Sequence, residues 1–187
     1  GERVIQTPRL DALAGEGMVF TDAYAPAANC APSRASMLTG QYTPRHGIFQ
    51  MREKRPHPLK SVADRRTLPS GKFTIAEGLR ACGYHCAFIG KWHVGGAGGK
   101  NGPLGQGFDL NVGGSHNGSP RNGYFPPYTY PVYERKNGKI EKSKMQEPKG
   151  GRYLTDRFTD EAIDYVKRPH EQPFFLYLDC FDPHEPW

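Results

Sequence analysis

A chain of 187 residues with 36% hydrophobic content can bury the core of one domain, and its formal net charge of +6 suits an acidic partner. No apolar run approaches the ~18 residues of a membrane span. The RNP-like aromatics, zinc-finger spacing or basic helix of a nucleic-acid reader are also missing.

With 23 glycines and 17 prolines, many loops and short elements are expected, and no repeat of 20 to 50 residues is visible. The opening Gly1-Glu2-Arg3-Val4 does not read as a secretory leader. Thr7-Pro8 predicts a helix start, with Leu10 and Leu13 on one face and Gly15 and Gly17 at its end. Met18 to Tyr24 is expected as a short strand or an extended lead-in. Cys30-Ala31-Pro32-Ser33-Arg34 follows. Pro32 suits a first helical turn, nothing from Ser33 to Thr39 breaks a helix, and Gly40 is a stop. Cys30 is thus expected just ahead of a helix N-terminus, where unpaired N–H groups favour an anion. Taken alone, a buried structural cysteine before a helix is the commoner reading.

Residues 50 to 72 scatter Arg52, Lys54, Arg55, Lys60, Arg65, Arg66 and Lys72 among prolines, as in an exposed loop. Thr74 and Glu77 have the spacing of a capping box, opening a helix with Ile75, Leu79 and Cys82 on its inward face. Gly83 stops it, and Tyr84 to Ile89 reads as a buried strand that delivers Gly90-Lys91-Trp92-His93. Lys91 and His93, two apart, point to one side if the chain stays extended. A lysine ammonium suits an anionic oxygen, and a histidine exchanges protons near neutrality. Residues 95 to 131 are poor in regular structure by composition. Asn117-Gly118-Ser119 fits a glycosylation sequon, relevant only to a secreted eukaryotic protein. From Thr155 an amphipathic helix runs through Phe158, Ala162, Ile163 and Val166 to a stop at Pro169. Pro173 to Cys180 is a hydrophobic strand, followed by Phe181-Asp182-Pro183-His184-Glu185-Pro186-Trp187. Helix followed by strand, twice, predicts an α/β layer fold with a largely parallel sheet flanked by helices. Of the cysteines left after Cys30, the Cys82–Cys86 pair around His85 is better read as buried than as a metal site or disulfide, and Cys180 stands apart.

The run Cys30-Ala-Pro32-Ser-Arg34 with Leu38-Thr39-Gly40, and the segment Gly83 to His93, resemble the two signatures of type I sulfatases. The final strand with His184 two residues before Pro186 resembles a third family feature. The resemblance implies an alkaline phosphatase-like sulfatase core, of which residues 1–187 would be an N-terminal portion. On this reading the chain is an internal fragment without the first core strand or the C-terminal part, and it is inactive by itself. A maturation enzyme that generates Cα-formylglycine would oxidise Cys30. The hydrated aldehyde would then attack sulfur with the help of one Ca2+. Arg34 would hold the diol and the metal ligands. Lys91 and His184 would bind the sulfate, His93 would take the proton that expels it, and Ser115 and His116 are weaker candidates for substrate contact.

Of the metal's ligands only Cys30, as formylglycine, falls within the chain; Asp11 and Asp22 do not replace the family's aspartate pairs. The implied substrate is a sulfated carbohydrate or aryl sulfate, in a periplasmic, secreted or lysosomal protein. Two other readings stay open: a phosphoesterase or phosphonate hydrolase of the same superfamily, and a non-catalytic polyanion-binding fragment.

Overall fold

The computed structural model describes residues 5–49, 65–120, 122–145 and 151–184. Five strands form one mixed sheet: β1 (His85–Gly90), β2 (Leu110–Val112), β3 (Pro131–Lys136), β4 (Lys139–Lys144) and β5 (Phe174–Asp179), in the order β4-β3-β2-β1-β5. The β2-β1-β5 core is parallel, with Ala87 opposite Leu110 on one side and Leu176 on the other. The expected parallel sheet is therefore present at the centre, and an antiparallel hairpin, β3 and β4, extends it. That hairpin was not anticipated. Its turn is Asn137-Gly138, with φ of 49° and 74°, the dipeptide best suited to a tight hairpin between twisted strands.

Alternate residues of β1 serve two cores, which is why the strand reads as a continuous apolar run. Ala87 and Ile89 pack with Leu110 and Val112 against Leu154, Phe158, Ala162 and Tyr165 of α5 (Leu154–Lys167). Cys86 and Phe88 face the other way. They meet Ala31, Ala35 and Leu38 of α2 (Cys30–Thr39, after α1, Pro8–Glu16), and Ala76 of α4 (Ile75–Ala81, after α3, Thr43–His46). Phe88 is the centre of that second core, edge-on to Trp92 at 5.0 Å and to Phe108 at 5.5 Å.

Several local expectations need correction. The α1 helix forms, with Leu10 and Leu13 exposed, and of the two alternatives for Met18 to Tyr24 the strand is absent, which leaves a lead-in without regular structure. The Thr74–Glu77 capping box is present with both hydrogen bonds. The inward side of α4 is nevertheless Ala76 and Leu79, while Ile75 and Cys82 are exposed. In α5 the buried residues are spaced by three and four from Leu154 to Tyr165, so Ile163 and Val166 fall on the outer side. A 3₁₀ turn, Pro103–Gln106, and β2 bring regular structure into the glycine-rich stretch. Residues 50–64 of the basic loop lie outside the described residues. Arg65 and Arg66 are exposed as expected, but Lys72 is not merely solvated, because it donates to the Arg45 carbonyl at 2.7 Å and to Gln41 Oε1 at 2.9 Å. All four cysteines are free: Cys86 is buried, Cys82 exposed and Cys180 half-buried.

His46 anchors the end of α3 as a fully buried neutral imidazole. The Ile48 N–H donates to Nδ1 at 3.1 Å, so the ring proton sits on Nε2, which donates to Ser36 Oγ at 3.0 Å. Burial, and secondarily the Lys72 charge, hold its pKa below the ordinary 6.5. An unfolded chain therefore takes the proton first. The stabilisation is complete above that ordinary value and is lost as pH falls below it. Urea unfolding midpoints should decline between about pH 7.5 and pH 5. His46→Gln should start from a lower midpoint yet fall less over the same range; parallel curves would rule out His46 as a source of the dependence.

Candidate active site

The site lies at the C-terminal ends of β1 and β5, where parallel strands leave a crevice. Gly90 closes β1 with φ of 106° and lets β5 approach, since a Cβ there would lie 1.9 Å from the Asp179 carbonyl oxygen. The Lys91 N–H donates to that same carbonyl at 2.8 Å, so the residues after β1 begin from a fixed point. Cys30 enters from the opposite side. It is the first residue of α2, behind Asn29 as N-cap, rather than lying ahead of the helix. The placement still puts its Sγ in the first turn, among N–H groups without helical partners.

Four of the expected residues converge. Cys30 Sγ lies 3.4 Å from His93 Nδ1. Lys91 is buried, its pKa held below the ordinary 10.5 mainly by desolvation, while the charge of Cys30 and a hydrogen bond donated to it act to raise it. Arg34 donates to the Lys91 carbonyl at 2.5 Å and makes a two-pronged pair with Asp179, Nη1 to Oδ2 and Nη2 to Oδ1, the latter at 2.9 Å. The Arg34 Nε is buried without a hydrogen-bond partner, leaving a donor available at the site. An open cleft of about 400 Å³ is lined by Cys30, Ser33, Arg34, Met37 and the β5 segment Leu176 to Asp179.

His93 reaches its position differently from the expectation. The extended backbone does not continue through it, since its φ is 61°, in the left-handed region. Its N–H donates to the Ser115 carbonyl at 2.9 Å. Burial first, then the charges of Lys91, Arg34, His184 and His116, depress its pKa to about 3, so the imidazole is neutral near pH 7. His184 and His116 are thus electrostatic neighbours of the cluster. Ser115, a weaker candidate for substrate contact, is buried: its carbonyl holds His93 and its hydroxyl accepts from the Asn117 N–H at 3.3 Å. His116 is exposed. His184 is partly buried, and its carbonyl accepts from the Tyr124 hydroxyl at 2.6 Å. Pro186, part of the pattern around it, lies outside the described residues.

Asp179 is the site residue that sequence reasoning passed over as the end of a strand. Burial raises its carboxyl while Arg34 and Lys91 pull it down. The signal was a lone carboxylate ending the apolar run Phe174 to Leu178, a position where charge needs a partner. Among the described residues no group of three or more His, Cys, Asp or Glu side chains could hold a metal ion. Asp179, a carboxylate within this arrangement, is committed to Arg34. The described residues therefore do not fit a calcium site by themselves, since such an ion takes six to eight oxygens.

A model of the sulfatase family matches residues 1–187. The N-acetylgalactosamine-6-sulfatase of Mus musculus is 32% identical over 197 residues, covering 100% of this chain and 36% of its own length. The arylsulfatase of Hemicentrotus pulcherrimus is 32% identical over 180 residues, 90% of this chain and 31% of that protein. The chain thus spans about a third of the curated relatives it matches. A solved protein in complex with its substrate, D-glucosamine-2-N,6-O-disulfate, superposes with a TM-score of 0.65 at 30% identity, covering 99% of this chain and 31% of the other. A second, solved with a neocarrahexaose, gives 0.70 at 28% identity, covering 96% and 40%. No helix of the described residues is long and apolar enough to cross a membrane.

Gly118, inside the sequon, backs onto the His93 ring, and a Cβ there would lie 2.1 Å from its Cε1. Gly118→Ala should therefore displace the imidazole and cost about 1–3 kcal/mol of stability. The check is a histidine-labelled NMR spectrum in which the His93 ring signals move while those of His46 stay; an unmoved His93 would show that residue 118 does not confine it.

Proposed function

This chain belongs to the sulfatase family, and from that premise we propose that the full-length protein hydrolyses sulfate esters of a carbohydrate with a nucleophile made from Cys30. The observation that carries the reading is the convergence of Cys30, Lys91, His93 and Arg34 within one crevice at the strand ends. The relatives that act on amino-sugar sulfates, and the solved complex with a disulfated glucosamine, favour a sulfated glycan over a simple aryl sulfate. Such a substrate fits a periplasmic, secreted or lysosomal protein matured by a formylglycine-generating enzyme.

Cα-formylglycine at position 30 supplies, when hydrated, an oxygen nucleophile that a cysteine thiol does not offer. The chain's own side chains do the rest. Arg34, fixed by Asp179 and the Lys91 carbonyl, keeps α2 and the residue-30 side chain against the strand ends. The Lys91 ammonium, desolvated and therefore electrostatically strong, binds a sulfuryl oxygen and stabilises charge that builds there. The neutral His93, 3.4 Å from the residue-30 side chain, is placed to accept a proton from it. His184 binds the ester and donates a proton to the departing alcohol. A calcium ion belongs to the family's chemistry. The described residues do not supply the carboxylates that would hold it.

Two measurements test this reading. Coexpression with the maturation enzyme should remove about 18 Da from the peptide carrying Cys30, thiol to aldehyde. Intact cysteine in the natural host would defeat the assignment. On the matured full-length protein, Lys91→Ala should lower turnover by the ~10²–10³ that one lost oxyanion partner costs. His184→Ala should damage alkyl sulfates far more than activated aryl sulfates, whose leaving groups need no proton. An aryl phosphate turned over faster than the aryl sulfate would instead make the protein a phosphoesterase.

A further inference from the structure

We propose that Asp182 is a positioning residue: gripped by Tyr153 and Thr155, it fixes the turn that carries His184 and so sets where that imidazole meets the ester. The inference rests on the role assigned to His184 above. Strand β5 ends at Asp179, and residues 180–184 continue without regular structure. No strand ladder therefore fixes His184, five residues beyond a rigid strand, where a misplacement of 1 Å is enough to spoil a proton transfer.

Side chains from two other segments hold the turn instead. The Tyr153 hydroxyl donates to Asp182 Oδ1 at 2.7 Å, and the Thr155 hydroxyl donates to Oδ2. Each carboxylate oxygen has its own donor, and both donors sit at the start of α5, Tyr153 as its N-cap. A carboxylate is favoured at that end of a helix and accepts stronger hydrogen bonds than a neutral group would. The bond to Asp182 is the chief reason the Tyr153 phenol is pushed up to about 12, so it remains a donor over the physiological range. Tyr124 completes the grip. Its ring stacks on Tyr153 at 5.2 Å and 17°, and its hydroxyl reaches the His184 carbonyl at 2.6 Å. On the other side, the buried Phe181 packs 6.2 Å from Phe158 of α5 and 6.1 Å from Tyr130. One helix thus holds the turn twice, by an apolar ring at 181 and by a carboxylate at 182.

The Phe181 ring also lies 6.0 Å from Lys91 Nζ, whereas the Asp182 carboxylate bonds to Tyr153 and Thr155, away from the cleft, so the effect of Asp182 on the reaction is expected to pass through His184. That gives a signature which a loss of stability does not share. In the matured full-length protein, Asp182→Ala should reduce kcat/KM for alkyl sulfates by up to ~10²-fold while barely changing an activated aryl sulfate. Added to His184→Ala, it should cost nothing more, because the two residues act as one unit. Tyr153→Phe removes one hydroxyl and keeps the ring stack. It should shift the same ratio by about fivefold, and it carries the test if Asp182→Ala does not fold. Equal losses on both substrates, a further loss on the His184→Ala background, or unchanged ratios in both variants would overturn the proposal. If His184→Ala itself spares alkyl sulfates, the role of His184 falls and this inference with it, an outcome visible without any Asp182 variant.

Discussion

The ion pair between Arg34 and Asp179 is the constraint on which the arrangement depends. Arg34 is one turn along α2 from Cys30, and Asp179 is the last residue of β5. A third bond, from Arg34 to the Lys91 carbonyl, adds the end of β1. One planar guanidinium thereby joins the helix that carries the residue-30 side chain to the two strands that deliver Lys91 and His184. Lysine could not do this, because only a fork of fixed donors meets two carboxylate oxygens and a carbonyl together. The pair is largely desolvated, with side-chain exposures of 13% and 22%, so its worth lies in geometry more than in net stability. Removing either partner would strand the other charge in the crevice.

The same cluster sets the protonation state of its neighbour. Two cations, Arg34 and Lys91, share a water-poor space with His93, and burial already disfavours a charged imidazole. His93 is held neutral as a result, which is the state a proton acceptor needs. Its backbone is fixed from yet another segment, by the Ser115 carbonyl, and its ring is confined against Gly118. The stretch that composition marks as loop is therefore a backing wall for the imidazole, and its glycine is required by the closeness of the ring.

Much of this was legible in the chain, for identifiable reasons. The helix at Cys30, the capping box at Thr74 and the strands at 85–90 and 174–179 follow from local chemistry: a proline, a reciprocal cap, an apolar run between glycines. Lys91 and His93 could be placed because they sit just beyond such a strand. What could not be read depends on tertiary context. Ile163 and Val166 continue the apolar pattern of α5 yet lie on its outer side, so periodicity alone did not give the buried face. The role of the Ser115 carbonyl in fixing His93 could not be read from the chain, because the two residues meet only in the fold. Asp179 looked like a strand end until its partner, 145 positions away, was brought beside it. The β3–β4 hairpin had a clear local signal in Asn137-Gly138, which was overlooked among charged residues on both strands.

The balance of charge favours an anion as the ligand of the proposed site. Among the described residues, the buried Lys91 and the half-buried Arg34 face a single carboxylate, and the orphaned Arg34 Nε adds a donor with nothing to bind. A surplus positive charge in a desolvated space costs free energy in the empty protein. The depressed pKa of Lys91 is the mark of that cost. Converting the Cys30 thiol to an aldehyde would remove one of the groups that raise it. An entering sulfate ester carries one negative charge and three exposed oxygens, which would restore the ammonium and satisfy the free donor. Binding would then be strongest for a ligand that supplies the anion the fold itself leaves out, and the energy stored in the unliganded cluster would be released where charge develops on the sulfuryl oxygens.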